Sequence, residues 1–311
     1  MNSVNSAPPF RATFLHPRYW PTWLGIGVFW LLCWLPIPLL IRMGEGLGRL
    51  LGRLLKSRRR VVAINLKLCF PQMSDTEREQ MTEDHFAALG AGLFEAGLAW
   101  FAPDWRLRSR GEVVGLEHLD AALNVGHGVL LLTGHFTTLE LGARYLCLAG
   151  RPFHAMYRPL NNLVIDFFMH RWRERRSNLP ALPKDDLKKL VRALREGRSI
   201  WYGPDQSLAT ANAAYVPFFG VSTLTLTATS RLAQMGRAKV VPYFPARING
   251  RYRVTFFPAL ENFPSGDDVA DAAQINRMLE QGIKIAPAQY FWSHKRFKHH
   301  PPGTPNPYAN T

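Results

Sequence analysis

Hydrophobic and polar positions change their rhythm several times along this chain. Residues 19–41 form an apolar stretch that no charge interrupts, YWPTWLGIGVFWLLCWLPIPLLI. About 20 apolar residues suffice to cross a bilayer as a helix, so this length predicts an N-terminal membrane helix. Four tryptophans (Trp20, Trp23, Trp30, Trp34) suit an interfacial anchor, and Pro36 and Pro38 should end or kink the helix near its C-terminal end. No small-residue cleavage site of a signal peptide follows. Next comes RMGEGLGRLLGRLLKSRRR, in which Arg42, Arg49, Arg53, Lys56, Arg58, Arg59 and Arg60 are set among leucines. A basic amphipathic segment beside an apolar one fits an anionic cytoplasmic leaflet, and the positive-inside rule then places the remainder in the cytoplasm. Arg11 and Arg18 on the other flank leave spanning and monotopic insertion both open.

Ser74-Asp-Thr-Glu77 is a capping box and predicts a helix over 75–100. Beyond Pro103, short apolar runs alternate with helical stretches. Strands are predicted near 112–114, 129–133, 153–157, 199–202, 239–244 and 252–257. Helices are predicted near 116–124, 138–148, 163–175, 185–196, 223–235 and 267–283. This alternation gives an α/β fold with a mixed, largely parallel sheet flanked by helices. The simplest organisation is a membrane anchor with its basic segment over 1–60 and one catalytic domain over 61–311.

Composition narrows the partners. A chain of 311 residues that is 47% hydrophobic can bury a sizeable core. Net charge is 38 − 23 = +15, which calls for an anionic partner: nucleic acid, anionic lipid or an acidic protein. No recognised nucleic-acid module is present and the basic residues adjoin the apolar anchor, so nucleic acid is not expected. Cys33, Cys69 and Cys147 match no zinc or redox spacing and are expected to be reduced. No metal cluster is evident, and His294, His299 and His300 fall in a basic tail expected to be solvated.

The stretch LLLTGHFTTLELGARYL carries the candidate chemistry. Its strand should deliver His135 to the carboxyl end of a sheet, where ligands gather. Histidine serves as a general base near neutral pH, and a carboxylate would fix its tautomer. Five residues apart in one helix, His135 and Glu140 would point about 140° from each other, but on a loop entering a helix they can meet. Thr137-Thr-Leu-Glu140 also reads as a capping box, so Glu140 as a cap and Glu140 as a catalytic partner both stand.

A histidine followed by four residues and then Asp or Glu is the signature of the glycerolipid and lysophospholipid acyltransferase superfamily. The chain resembles its lipid A branch, the late acyltransferases of lipopolysaccharide biosynthesis, in seven ordered blocks. These are LHPRYWPTWLGIG, NLKLCFPQMSDTER, GHFTTLELGAR, MYRPLNN, WYGPDQ, VPFFG and FWSHKRFKHHPPG. The form HFTTLE is more similar to the lauroyl-type enzymes. The resemblance implies that His135 deprotonates a hydroxyl of the acceptor lipid, Kdo2-lipid IVA, and that Glu140 orients it. The hydroxyl then attacks a thioester on acyl carrier protein, without cofactor or acyl-enzyme intermediate, at the cytoplasmic face of a bacterial inner membrane. It also implies substrate-binding roles for Arg158, for Arg173 (with Arg175 or Arg176 as alternative registers), for Asp205, expected to position substrate or an active-site arginine, and for Gln206. The block at 216–220 is expected to line the acyl chain. An acyltransferase for another membrane glycolipid, and a non-catalytic protein binding anionic lipid, are the competing readings.

Overall fold

The computed structural model describes residues 9–309. Two 3-10 turns (Ala12–Leu15 and Pro17–Tyr19) lead into α1 (Trp20–Leu32), α2 (Ile37–Leu54), α3 (Lys56–Cys69), α4 (Asp75–Phe101) and the short α5 (Asp104–Arg108). Strands and helices then alternate: β1 (Gly111–Val114), α6 (Leu116–Leu123), β2 (Val129–Leu132), α7 (Leu139–Leu148), β3 (Met156–Tyr157), α8 (Leu163–Ser177), β4 (Leu182–Pro183), α9 (Leu187–Arg195) and β5 (Ser199–Tyr202). A hairpin of β6 (Ala213–Phe218) and β7 (Val221–Leu226) precedes α10 (Ala228–Gly236), β8 (Lys239–Ile248), β9 (Arg251–Phe256) and α11 (Asp268–Ile285). A last turn, Pro287–Gln289, opens an irregular C-terminal tail.

The main sheet has the order β1-β9-β8-β2-β5. Three neighbouring pairs are parallel and β8–β9 is antiparallel, so the sheet is mixed and largely parallel as the alternation predicts. Side chains alternate across it. Leu130, Leu132, Ile200, Val240 and Phe244 face one core, shared with α3, α9, α10, α11 and the C-terminal tail. Val129, Leu131, Val241, Tyr243 and Val254 face the other, shared with α2, α4, α6 and α7. Both faces of β2 are therefore covered, which is why it reads as an unbroken apolar run.

The capping box at Ser74 forms: its hydroxyl accepts from the Glu77 amide, and the Glu77 carboxylate accepts from the Ser74 amide. α2 packs directly on α4. A Cβ placed on Gly48 would lie 2.0 Å from the Phe86 carbonyl oxygen, and one on Gly90 2.0 Å from that of Gly44. Backbone meets backbone there, a contact that only glycine permits. The division drawn at residue 60 falls within α3.

The single membrane helix expected over 19–41 does not form. α1 stops at Leu32, and Pro36, which has no amide hydrogen to donate, precedes the new helix α2. Between them the Arg106 guanidinium donates to the Cys33 and Leu35 carbonyls at 2.6 and 2.7 Å, holding the break. α1 has 13 residues, a length of about 20 Å against a hydrocarbon core of about 30 Å. Among the described residues, no helix is long and apolar enough to cross a membrane.

A second departure is the β6–β7 hairpin. Residues 221–226 are a strand, which takes the first four residues of the helix predicted over 223–235. Thr223 and Thr225 are buried on alternate positions, a period of two that the adjoining helical pattern hides. Of 153–157 only Met156 and Tyr157 form a strand.

Candidate active site

β2 and β5 lie side by side, parallel, with Leu132 level with Tyr202. His135 and Asp205 each follow three residues later, so two loops leave neighbouring strands at one height and bring them together. Asp205 grips His135 twice. Its Oδ2 accepts the His135 backbone N–H at 2.7 Å, and its Oδ1 lies 2.6 Å from the ring Nδ1. Gly134 leaves room for this: a Cβ there would stand 3.2 Å from the Asp205 carboxylate. With Nδ1 engaged, Nε2 is the ring nitrogen left to act, and the imidazole is about one-third exposed (32%). The Asp205 charge raises the His135 pKa above its usual value against the opposing effect of burial. Burial alone would raise the Asp205 carboxyl, but His135, its backbone amide and Arg296 bring it down to about 2. The C-terminal tail completes this end of the sheet. The Phe291 amide donates to the His135 carbonyl, and buried Arg296 binds Thr225 Oγ1 and the Leu224 carbonyl.

Glu140, expected on His135, is placed elsewhere. It accepts from Trp100 Nε1 at 3.0 Å, from Arg176 Nη2 at 3.1 Å and from Arg173. The expected cap at 137–140 is also absent. Thr138 takes the N-cap position and its hydroxyl donates to the Pro245 carbonyl, so Glu140 sits in the first turn of α7 with its carboxylate free for the arginines. Burial opposes its charge, yet the two guanidiniums hold its pKa down to about 2. One carboxylate against two guanidiniums leaves this buried cluster with a net charge of +1. Of the three registers considered for the arginine on α8, Arg173 and Arg176 hold Glu140, while Arg175 is exposed. Trp100 fixes the arrangement from behind, stacked on Trp172 of α8 at 4.8 Å.

A cavity of about 240 Å³ opens beside these groups. His135, Glu140, Arg173 and Arg176 line its charged part, and Leu139, Ala143, Cys147, Phe153, Ala155 and Trp201 its apolar part. A second cavity of about 140 Å³ is lined by Arg158, Tyr157, Asp166 and His170, and Arg173 belongs to both. Arg158 is exposed and makes no hydrogen bond or ion pair among the described residues. Gln206 is half-buried and lines neither cavity. The block 216–220 forms the hairpin instead of a wall of the larger cavity, and Phe218 is fully buried among Phe219, Tyr290 and Phe297. The tail histidines are partly buried; His299 Nδ1 meets Ser207 Oγ at 3.0 Å. Among the described residues no group of three or more His, Cys, Asp or Glu could hold a metal ion.

Sequence reading had not placed Asp205 on the histidine, nor Trp100 and the tail in the site. The one available signal was the equal spacing of His135 and Asp205 past the ends of two strands.

A family model for bacterial lipid A biosynthesis acyltransferases matches residues 7–299. The chain is 42% identical to the lipid A biosynthesis lauroyltransferase of Escherichia coli K12, over 98% of this chain and all of that protein. It is 40% identical to the palmitoleoyltransferase of the same organism, over 94% of this chain and 96% of that one. Against the E. coli myristoyltransferase identity is 32%, over 99% and 96% of the two chains.

Proposed function

Because the chain belongs to the bacterial lipid A biosynthesis acyltransferases, and so acts in lipopolysaccharide biosynthesis, we propose that it transfers a lauroyl-length acyl group from acyl carrier protein to a hydroxyl of Kdo2-lipid IVA. The observation that carries the mechanism is the His135–Asp205 pair at the edge of a half-apolar cavity with a positively charged wall. His135 Nε2 takes the proton of the acceptor hydroxyl as its oxygen attacks the thioester carbonyl. Asp205 keeps the other ring proton on Nδ1 and stabilises the imidazolium. The tetrahedral intermediate carries its negative charge beside the Arg173–Glu140–Arg176 cluster, whose surplus positive charge is already in place. Collapse breaks the carbon–sulfur bond, and the thiolate leaves with the proton held on Nε2. A thioester is already activated, so positioning and deprotonating the alcohol is the main task.

Arg158 and Arg173, around the second cavity, offer planar paired donors to a phosphate of the acceptor. Gln206 remains a substrate-side group of the Asp205 loop in this reading. The basic surface serves acyl carrier protein, an acidic partner.

Attachment to the bilayer is interfacial in this reading. α2 has three faces. Its glycines meet α4, Leu39, Met43, Leu47, Leu50 and Leu54 are exposed, and Arg42, Arg49 and Arg53 form a stripe about 100° from the leucines. α1 adds exposed Trp20, Leu24, Trp30 and Leu31. Leucines in the acyl boundary and arginines at anionic headgroups suit the cytoplasmic leaflet of the inner membrane. The protein should float with vesicles containing phosphatidylglycerol at low salt; equal flotation of a Leu47→Glu/Leu50→Glu variant would remove this role for α2.

The test of function is an assay of purified protein with acyl-carrier-protein thioesters and tetra-acylated lipid A precursor, read by product mass. A gain of one acyl chain, lost in His135→Ala, is expected. No gain with any thioester would point to another acceptor glycolipid or to lipid binding without catalysis, and a gain that survives in His135→Ala would remove His135 as the base.

A further inference from the structure

The larger cavity has a direction. Leu139, Ala143 and Cys147 recur at intervals of four residues and so lie on one face of α7. α7 runs back from the His135 end of the sheet, so Cys147 stands about 12 Å deeper than Leu139. The opposite wall gives the same order. The segment entering β3 runs parallel to β5, with His154 level with Ile200, so Phe153 lies near the start of β5 and farthest from His135. Trp201, nearer the strand end, stands edge-on to the His135 ring at 5.7 Å between centroids. The Glu140–arginine cluster forms one wall, with Arg176 near enough to Cys147 to act on its thiol, while small side chains, Ala143 and Ala155, keep a channel open alongside. At its deep end stand Cys147 and Phe153, the latter 5% exposed and anchored in the core under the sheet.

Resting on the acyltransferase reading, we propose that this channel takes the donor acyl chain with its thioester at His135, and that Cys147 and Phe153 set the longest chain accepted. The Cys147 thiol serves as a small apolar surface there: burial raises its pKa to about 11, so it stays protonated at neutral pH. A chain one methylene too long meets the Phe153 ring, whose place is fixed by the packed core behind it. In a tight apolar pocket each methylene is worth roughly 10–200-fold in discrimination.

The experiment measures kcat/KM for a series of acyl-carrier-protein thioesters differing by two carbons, on wild type, Cys147→Phe, Cys147→Leu and Phe153→Leu. Cys147→Phe shortens the channel, and the longest wild-type donor should lose at least about tenfold relative to a donor two carbons shorter. Cys147→Leu, which disturbs the fold less, should shift the profile the same way. Phe153→Leu should shift it toward longer donors. Folded variants with an unchanged chain-length profile would overturn the proposal. Wild-type protein that transfers no acyl group from any thioester would instead overturn the acyltransfer reading beneath it.

Discussion

Asp205→Asn is expected to fold normally and to lose about two to four orders of magnitude in kcat, the range that follows when a base histidine is held in the wrong tautomer. Asparagine fills the same buried space and can still accept the His135 backbone N–H. It cannot supply the negative charge that is the largest influence raising the His135 pKa. The sign of the pH effect follows. As the proposed base, His135 would act only above its raised pKa, so the wild-type acid limb of kcat/KM is expected above the ordinary histidine value near 6.5. In Asp205→Asn that limb should move to lower pH while the plateau falls. The measurement is a pH–rate profile of both proteins. A limb that stays in place would mean that Asp205 does not control the histidine.

Glu140→Ala is the second large effect, and it differs in kind. It leaves two guanidiniums facing each other, and the Arg176 side chain is only 7% exposed. Removing one partner of such a buried cluster costs about 3–5 kcal/mol, which corresponds to a fall in Tm on the order of 10 °C. Glu140→Gln keeps the shape and softens the loss. Since His135 is held by Asp205, neither variant should move the acid limb as Asp205→Asn does, although both should lower kcat by disturbing the positive wall. Thermal melts and the same pH profile check this. An unchanged Tm for Glu140→Ala, or an acid limb that shifts in Glu140→Gln, would return Glu140 to the role of orienting the histidine.

These two variants mark where sequence reading reached and where it stopped. Periodicity and turn signals yielded the α/β alternation, the mixed sheet, the Ser74 cap and the arrival of His135 at a strand end, because each depends on residues within a few positions of one another. The N-terminal helix was misjudged for an identifiable reason. Hydropathy sums over Pro36 as though the helix continued, whereas a missing amide and the distant Arg106 end it. The β6–β7 hairpin was hidden by the helical pattern of α10, which begins two residues after β7 ends. The pairing within the site lies wholly beyond local pattern. The five-residue spacing favours Glu140 as the partner of His135, yet Arg173 and Arg176, more than thirty residues away, claim that carboxylate.

The sequence by itself supplied the candidate groups, a histidine, two carboxylates and the arginines of α8, and the resemblance to the family to which the chain belongs. Only the tertiary structure decided who holds whom. Leu132 is in register with Tyr202 across two parallel strands, and that register sets Asp205 against His135 across 70 residues of chain. A register of this kind is fixed by the packing of both faces of the sheet at once, and no single stretch of sequence contains it.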